Sequence, residues 1–309
     1  MQFFKSITSL HVISLIITVS LSACDYVSNP YLPKTITTID SGYATGKGDE
    51  TRHVLIEDYT GHKCDNCPQA ARDLLAQINA KGLTNKAIVI GIHSGSFANT
   101  VASGGEQFPT DMRTADGTIY DNTFGISKIG NPNFTFNRKI NGANGSRAFG
   151  SGDFGSGFDT SQVGKPADFR IDMLTTYNAS NRTIEGRVKA TALKALSGGL
   201  YKIIILLIED SVIAEQLDKH NIPGQNYYPN YVHRHVLRGA INTTWGTPVY
   251  LGKTALILND TASVAVSGFT VDNKFNDKHC YVVAYIYNAN TSVPDKQYEV
   301  FQVEERKLK

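Results

Sequence analysis

The most constraining feature of the sequence is a Cys-x-x-Cys-Pro run at residues 64–68, which stands between a predicted strand and a predicted helix. Residues 52–59 before it form a short apolar run. After it, four apolar residues recur at the spacing of a helix: Ala71, Leu74, Leu75 and Ile78. A nearly continuous apolar run at residues 86–93 fits a strand buried on both faces. The order strand, helix, strand predicts a parallel βαβ unit, with Pro68 in the first helical turn.

Three kinds of chemistry use a pair such as Cys64 and Cys67. Covalent haem attachment needs a His directly after the second cysteine, where this chain has Pro68, so the sequence excludes it. A structural zinc site usually needs a second ligand pair, and Cys280 and the histidines are not spaced as one. A disulfide remains, either as a thiol–disulfide exchange site or as an inert cross-link. We predict no metal and no cofactor, and we interpret Cys280 as a buried core thiol.

Gly-Asn-Pro at residues 130–132 precedes an alternating apolar run at residues 133–138. A strand that begins at a cis-proline has this pattern, so we expect a cis peptide bond before Pro132. With this segment included, residues 52–158 resemble the thioredoxin superfamily, with the parts in the same order.

The thioredoxin resemblance implies a role for each matching residue. Cys64 would attack a disulfide and Cys67 would resolve the mixed disulfide. Asp58 would accept the proton of the resolving thiol, and Pro132 would pack against the pair and help to hold a substrate strand. We therefore expect the two sulfurs at the exposed tip of the βαβ layer.

Three features depart from the thioredoxin pattern. His62-Lys63 stands before the pair in place of an aromatic residue, and Asp65-Asn66 lies between the cysteines. Residues 94–120 form an insertion rich in Gly, Ser and Thr, which we expect to cover the site. His62 and His93 flank the pair as candidate metal ligands or proton carriers.

From residue 165 onward, the sequence predicts strands with short polar links. The predicted strands cover residues 167–174, 183–190, 201–208, 262–269, 280–287 and 298–303. This series predicts an antiparallel sandwich of the immunoglobulin-like type. The expected fold is therefore an α/β thioredoxin-like domain at residues 51–160, followed by an all-β sandwich domain at residues 165–309. His233 and His235, which lie between two of these strands, are interpreted as ordinary surface residues.

Residues 1–24 have the pattern of a bacterial lipoprotein signal peptide. A charged start at Lys5 precedes an apolar run that ends in Leu-Ser-Ala-Cys and is too short to span a membrane. We predict that Cys24 is lipidated and becomes the first residue of the mature protein. Residues 25–50, rich in Ser, Thr, Pro, Gly and Asp, then form a flexible spacer.

Charge composition narrows the class of partner. Lys plus Arg is 30 and Asp plus Glu is 28, which gives a formal net charge of +2. No basic stripe runs through the sequence, so we predict no nucleic-acid partner. The expected contacts are the membrane, through lipid on Cys24, and a protein partner or a host or surface ligand.

Several sequence motifs also resemble the outer membrane protein 28-related family of Bacteroidetes lipoproteins. They are Glu57–Gly61 before the cysteine pair, Asp121–Gly125, Asn131-Pro132, Asn137-Arg138 and His235–Arg238. The resemblance implies a thioredoxin-like domain joined to a β-sandwich at the outer membrane, with an adhesion or receptor role. We therefore expect a membrane-tethered binding or adhesion module, at the cell surface or in the periplasm. Thiol–disulfide oxidoreduction by the Cys64–Cys67 pair is the alternative.

Overall fold

The computed structural model describes residues 48–197 and 199–309. The predicted signal peptide, Cys24 and most of the predicted spacer lie outside these residues. Within the described part of the chain, no helix is long and apolar enough to cross a bilayer.

The structure is mixed α/β, and strands predominate. The strands are β1 (Val54–Thr60), β2 (Ala87–His93), β3 (Asn133–Phe136), β4 (Phe169–Asn178), β5 (Thr183–Ala192), β6 (Leu196–Ser197), β7 (Tyr201–Glu209), β8 (Val212–Ile222), β9 (Gln225–His233), β10 (Val236–Ala240), β11 (Thr247–Val249), β12 (Ala255–Leu256), β13 (Thr261–Thr270), β14 (Cys280–Asn288) and β15 (Val300–Lys307). The helices are α1 (Cys67–Ala80), α2 (Ala115–Phe124), α3 (Ile126–Ile129) and α4 (Phe154–Ser161).

The first half of the chain contains the predicted βαβ unit. β1 and β2 pair in parallel, and β3 pairs antiparallel with β1 on its other side. Val54 and Ile56 of β1 share a core with Leu74 and Ile78 of α1, and α4 joins the same core. α1 begins at Cys67, so that Pro68 falls in the first turn, where a missing backbone N–H leaves no helical bond unmade.

A single sheet connects the two halves of the chain. Its strand order is β15-β14-β7-β10-β2-β1-β3, and β11 pairs with β7. The junction is parallel pairing of β10 with β2, where the Gly91 backbone N–H donates to the His235 carbonyl oxygen at 2.8 Å. A Cβ atom at Gly91 would lie 3.0 Å from the Arg234 carbonyl oxygen, so only glycine fits there without a shift. The predicted division into residues 51–160 and 165–309 stays a prediction about folding units, and this sheet crosses it.

The second half adds a facing layer of antiparallel strands. β4, β5 and β13 form a three-stranded sheet. This sheet packs on β7 and β14 across a core that includes Ile171, Val188, Ile205 and Ala284. Cys280 is fully buried and unpaired in the same core, which confirms its interpretation as a core thiol.

A buried ion pair lies between the two halves. Arg138 is fully buried and its Nη2 contacts Glu57 Oε1 at 2.6 Å. The Thr135 hydroxyl donates to the other oxygen of Glu57 at 2.7 Å. The guanidinium carbon lies 4.5 Å from the ring centroid of Tyr120 and 5.2 Å from that of Tyr285. Arg138 therefore connects β1, α2 and β14 through one charged group.

Candidate functional site

The cysteine pair closes the turn between β1 and α1. Cys64 and Cys67 form a disulfide, as predicted. The Cys64 N–H donates to the Gly61 carbonyl oxygen at 2.9 Å, and the Cys67 N–H donates to the Cys64 carbonyl oxygen at 3.3 Å. We call residues 61–67 the cysteine loop.

The cysteines are not at an exposed tip, and that expectation was wrong. Cys64 and Cys67 are each only 2 % exposed. The physical reason is that two segments from elsewhere in the chain pack over the cysteine loop. One is the hairpin of β8 and β9, and the other is the insertion between β2 and α2.

β8 runs along the cysteine loop like a neighbouring strand. The Leu217 N–H donates to the His62 carbonyl oxygen at 2.8 Å, and the Lys219 N–H donates to the Asp65 carbonyl oxygen at 3.3 Å. Gln216, which precedes Leu217, is almost fully buried and its side-chain amide donates to the Cys64 carbonyl oxygen at 3.0 Å. Alternate residues of β8 thus bond to the loop, as residues of paired strands do.

Ion pairs also connect β8 to α1 and to the cysteine loop. Arg72 of α1 makes two hydrogen bonds to Asp218, at 2.7 and 3.1 Å, and the Asp218 side chain is fully buried. The Lys219 ammonium lies 3.2 Å from an Asp65 carboxylate oxygen, and both side chains are partly exposed. The two-bonded Arg72–Asp218 contact is the stronger of the two, because its geometry is bidentate and one partner is shielded from water.

The insertion covers the other side of the loop. The Lys63 N–H donates to the Phe97 carbonyl oxygen at 3.0 Å. The His62 ring stacks on Phe108 with centroids 5.1 Å apart. Phe108 in turn contacts Tyr227 of β9, so that the insertion and the hairpin also touch each other.

Asp58 lies on β1, in register with Gly91 of β2 and Phe134 of β3. Two residues after Ile56, its side chain projects to the α1 side of the sheet. Its Oδ1 atom is shielded from solvent and has no hydrogen-bond partner. Burial raises the pKa of Asp58 from 3.8 to about 7, so this carboxyl group can exchange a proton near neutral pH.

The Asn131–Pro132 peptide bond is cis, as expected from the sequence. Pro132 directly precedes β3, and the pairing of Tyr59 with Asn133 brings this proline to the end of β1 where the cysteine loop begins. Both amide atoms of the Asn131 side chain are shielded and lack a hydrogen-bond partner. The fold thus brings Asp58, the cysteine loop and Pro132 to one end of β1.

Buried histidines border the site. The rings of His93 and His233 meet edge to face, with centroids 5.3 Å apart. Burial lowers the pKa of His233 to about 3 and lowers the pKa of His93 well below its usual value, so both are neutral at physiological pH. His233 and His235 are both buried, so their interpretation as surface residues was wrong. Among the described residues, no three His, Cys, Asp or Glu side chains are arranged to hold a metal ion.

Sequence reasoning missed Gln216 and Asp218, which cover the loop, and Arg72 of α1, which binds Asp218. The sequence signal for the β8–β9 hairpin is Pro223-Gly224, a turn dipeptide between two segments of similar length.

The family model described as outer membrane protein Omp28 matches residues 118–309, more than half of the chain. The chain belongs to the Omp28 family. This membership confirms the predicted family and the predicted location at the outer membrane. The matched residues include Pro132 and the β8–β9 hairpin, whereas Cys64 and Cys67 precede them. No curated protein matches the chain significantly.

Three solved structures are similar to this Omp28-family chain. HBP35 of Porphyromonas gingivalis has a TM-score of 0.58 at 15% identity, with 85% of this chain and 77% of that chain covered. A protein from Agrobacterium tumefaciens has a TM-score of 0.42 at 12% identity, with 83% and 95% covered. A domain of the outer membrane lipoprotein Omp28 from Porphyromonas gingivalis has a TM-score of 0.27 at 21% identity, with 46% and 88% covered. The likeness to HBP35 shows a shared fold.

Proposed function

We propose that this Omp28-family protein is a lipid-tethered binding or adhesion module, anchored through Cys24 at the outer membrane. In this proposal, a thioredoxin-like unit presents the cysteine loop and an immunoglobulin-like sandwich follows it. The family membership supports the location, and the βαβ unit with its cis-proline supports the thioredoxin-like assignment.

The observation that carries a binding role is the cover over the disulfide. With each cysteine 2 % exposed, an approaching thiol has almost no direct access to sulfur. The residues matched by the Omp28 family model also exclude Cys64 and Cys67 but include the hairpin that covers them. Both points favour binding, a function in which the two sulfurs do not have to react.

An open cavity of about 630 Å³ offers a candidate binding surface on another part of the molecule. Lys139, Lys194 and Lys296 line it together with Tyr201 and Phe301. Lys194 is paired with Asp168 at 2.6 Å, while the other two lysines share the cavity with a single carboxylate, that of Glu299. Cationic groups beside aromatic faces suit an anionic ligand such as an acidic polysaccharide.

The test measures binding of purified protein to immobilised heparin, an anionic polysaccharide, with dextran as the uncharged reference. We expect Cys64→Ser/Cys67→Ser to bind heparin as the wild type does. Lys139→Ala/Lys296→Ala should weaken binding about tenfold, whereas Lys278→Ala, an exposed lysine elsewhere, should not. If Cys64→Ser/Cys67→Ser lost as much heparin binding as Lys139→Ala/Lys296→Ala, the result would argue against a binding role independent of the disulfide.

Thiol–disulfide oxidoreduction is the second candidate, and one arrangement favours it. The disulfide at the start of α1 follows β1, which carries Asp58 with a pKa near 7, and the cis-proline lies at the end of the same strand. Redox titration against glutathione would test it, together with insulin reduction. A potential far below that of the glutathione pool, with no insulin reduction, would leave the disulfide as a structural cross-link.

A further inference from the structure

The β8–β9 hairpin differs from every other long strand pair in its connections. It forms a two-stranded sheet of its own and has no ladder to the large sheet or to the β4-β5-β13 sheet. Its attachment to the rest of the protein therefore runs through contacts of β8 with the cysteine loop and α1, and through contacts of both strands with the insertion. In the contacts with the insertion, Thr110 donates to Glu215 and Tyr227 donates to the Gln107 carbonyl oxygen. A two-stranded ribbon can leave such a position without unpairing the main sheet.

We propose that this hairpin is an intramolecular cover of the Cys64–Cys67 disulfide, and that its displacement admits a thiol to the sulfurs. The inference rests on the second proposed function, thiol–disulfide exchange. In the docked state, the hairpin keeps the disulfide unreactive. In the displaced state, the pair becomes available.

The docked strand occupies groups that a partner would need. An extended peptide binds a loop or sheet edge through its main-chain hydrogen bonds. Here the carbonyl oxygens of residues 62 and 65 already accept from Leu217 and Lys219, and that of Cys64 accepts from Gln216. A partner strand and the hairpin thus compete for the same acceptors, so a partner that takes an extended form is the natural displacing agent.

The buried face of the hairpin carries polar side chains, which favour its displacement into water. Gln216 and Asp218, two of its most buried residues, are polar, whereas Ile213 on the same strand is 66% exposed. Undocking therefore exposes an amide and a carboxylate that water can solvate, while the apolar contacts it breaks include those of Ala214 with Met112 and Val236.

The exchange step balances with a dithiol as the reductant. One thiolate of the dithiol attacks the Cys64 sulfur, the Cys64–Cys67 bond breaks, and Cys67 leaves as a thiolate that takes up a proton. The second thiol of the reductant then attacks the mixed disulfide, releasing Cys64 as a thiol. The protein disulfide gains two electrons, and the dithiol becomes a cyclic disulfide.

The experiment measures the rate at which dithiothreitol reduces the full-length folded protein. Gln216→Ala/Asp218→Asn removes hydrogen bonds that hold β8 and should raise the rate about tenfold or more. Asn230→Ala, an exposed change on the other strand of the hairpin, should leave the rate unchanged. Amide hydrogen exchange at Leu217 and Lys219 should rise in the double variant in parallel with the reduction rate.

Wild-type protein supplies a second measurement if the double variant is poorly folded. Reduction in low, non-denaturing urea should depend on urea more weakly than global unfolding does, because only the hairpin opens. Equal reduction rates in wild type and variant, despite faster exchange at Leu217 and Lys219, would overturn the cover. Reduction that follows global unfolding in urea would overturn it as well. If the double variant is reduced faster, as expected, but does not itself reduce insulin, the hairpin is still a cover of the disulfide and the proposed exchange function is refuted.

Discussion

Asp58 shows how one residue can depend on its surroundings for its chemistry. In an unfolded chain its carboxyl group is ionised at neutral pH, whereas in the folded protein it is shielded and one oxygen has no partner. Burial raises its pKa to about 7. The thioredoxin resemblance identifies Asp58 as a proton acceptor near the end of a strand, but the sequence does not predict its burial, because solvent access depends on elements that pack there later in the chain.

We expect Asp58→Asn to change how stability depends on pH. Because the folded pKa lies above the unfolded value of 3.8, protonated Asp58 contributes stability that is full below pH 3.8 and is lost as pH rises through about 7. The amide cannot ionise, so at pH 8 the variant should be more stable than wild type by about 1–3 kcal/mol, with little difference at pH 4. Urea unfolding of the oxidised proteins at both pH values measures this, with Asp295→Asn, an exposed change, as the control. A variant less stable than wild type at pH 8 would refute the assignment.

Arg138 is the second residue whose environment decides its role. Replacing it with Met leaves Glu57 charged and buried without its partner, so we expect a loss of about 3–5 kcal/mol in the free energy of unfolding. Glu57→Gln/Arg138→Met removes both charges and should cost less than the two single changes added together. Urea unfolding of the four proteins gives this coupling energy. Arg187→Met, at an exposed arginine, should change stability by less than about 0.5 kcal/mol. Additive losses would show that the pair does not act as a unit.

At the scale of elements, patterns of apolar residues predicted the longer strands of the main sheets but missed the β8–β9 hairpin and the short strands β6, β10, β11 and β12. The runs at residues 201–208 and 280–287 became β7 and β14, because strands buried on both faces need continuous apolar sequence. β8 carries Gln216 and Asp218 on its buried side, so its pattern is not that of a core strand. Its contact with Cys64 spans 152 residues of sequence, a distance that local patterns do not report. The same cause explains why the cysteine pair was predicted but its burial was not.

The close approach of the insertion to the cysteine loop depends on Gly61. A Cβ atom there would lie 2.5 Å from the Phe97 carbonyl carbon and 2.6 Å from its oxygen, so Gly61→Ala should push the insertion outward. We expect a loss of about 1–3 kcal/mol in stability and faster amide exchange at Lys63, whose N–H donates to Phe97. Gly105→Ala lies in the same insertion and meets nothing within 4 Å, so it is the matched control. Unchanged exchange at Lys63 in Gly61→Ala would contradict this packing.

At the scale of the whole molecule, the continuous sheet makes the two halves share one core. Ile90 and Ile92 of β2 pack in the same cluster as Ile204, Leu206 and Leu237 from the second half. The βαβ pattern and the later strands were each predictable from sequence. Their joining through β2 and β10 was not, because β10 is short and its parallel pairing with β2 involves a single registered residue pair.

We therefore expect the folded chain to unfold in one cooperative transition. Trp245, the only tryptophan, contacts Tyr120 and Phe124 of the first half, so its fluorescence reports the junction. Urea curves followed by this fluorescence and by far-ultraviolet circular dichroism should coincide. Two separated transitions would indicate that residues 51–160 and 165–309 are independent folding units.

Membrane attachment is also a property of the whole chain. If the lipid is carried by Cys24, Cys24→Ser should move the protein from the membrane fraction to the soluble fraction or leave its precursor unprocessed. Cell fractionation and immunoblotting measure the distribution, and Cys280→Ser is the matched control, since that thiol is buried in the core. Unchanged membrane association of Cys24→Ser would refute the anchor.

The burial of Cys280 also has a practical consequence for labelling. Burial raises the pKa of its thiol to about 12, so it resists alkylation while the fold is intact. If Cys24 is blocked by acylation, an alkylating reagent added to folded, reduced protein can mark only Cys64 and Cys67. The mass shift of the intact protein would then give the fraction of molecules in which the reduced Cys64 and Cys67 are accessible, without any engineered tag.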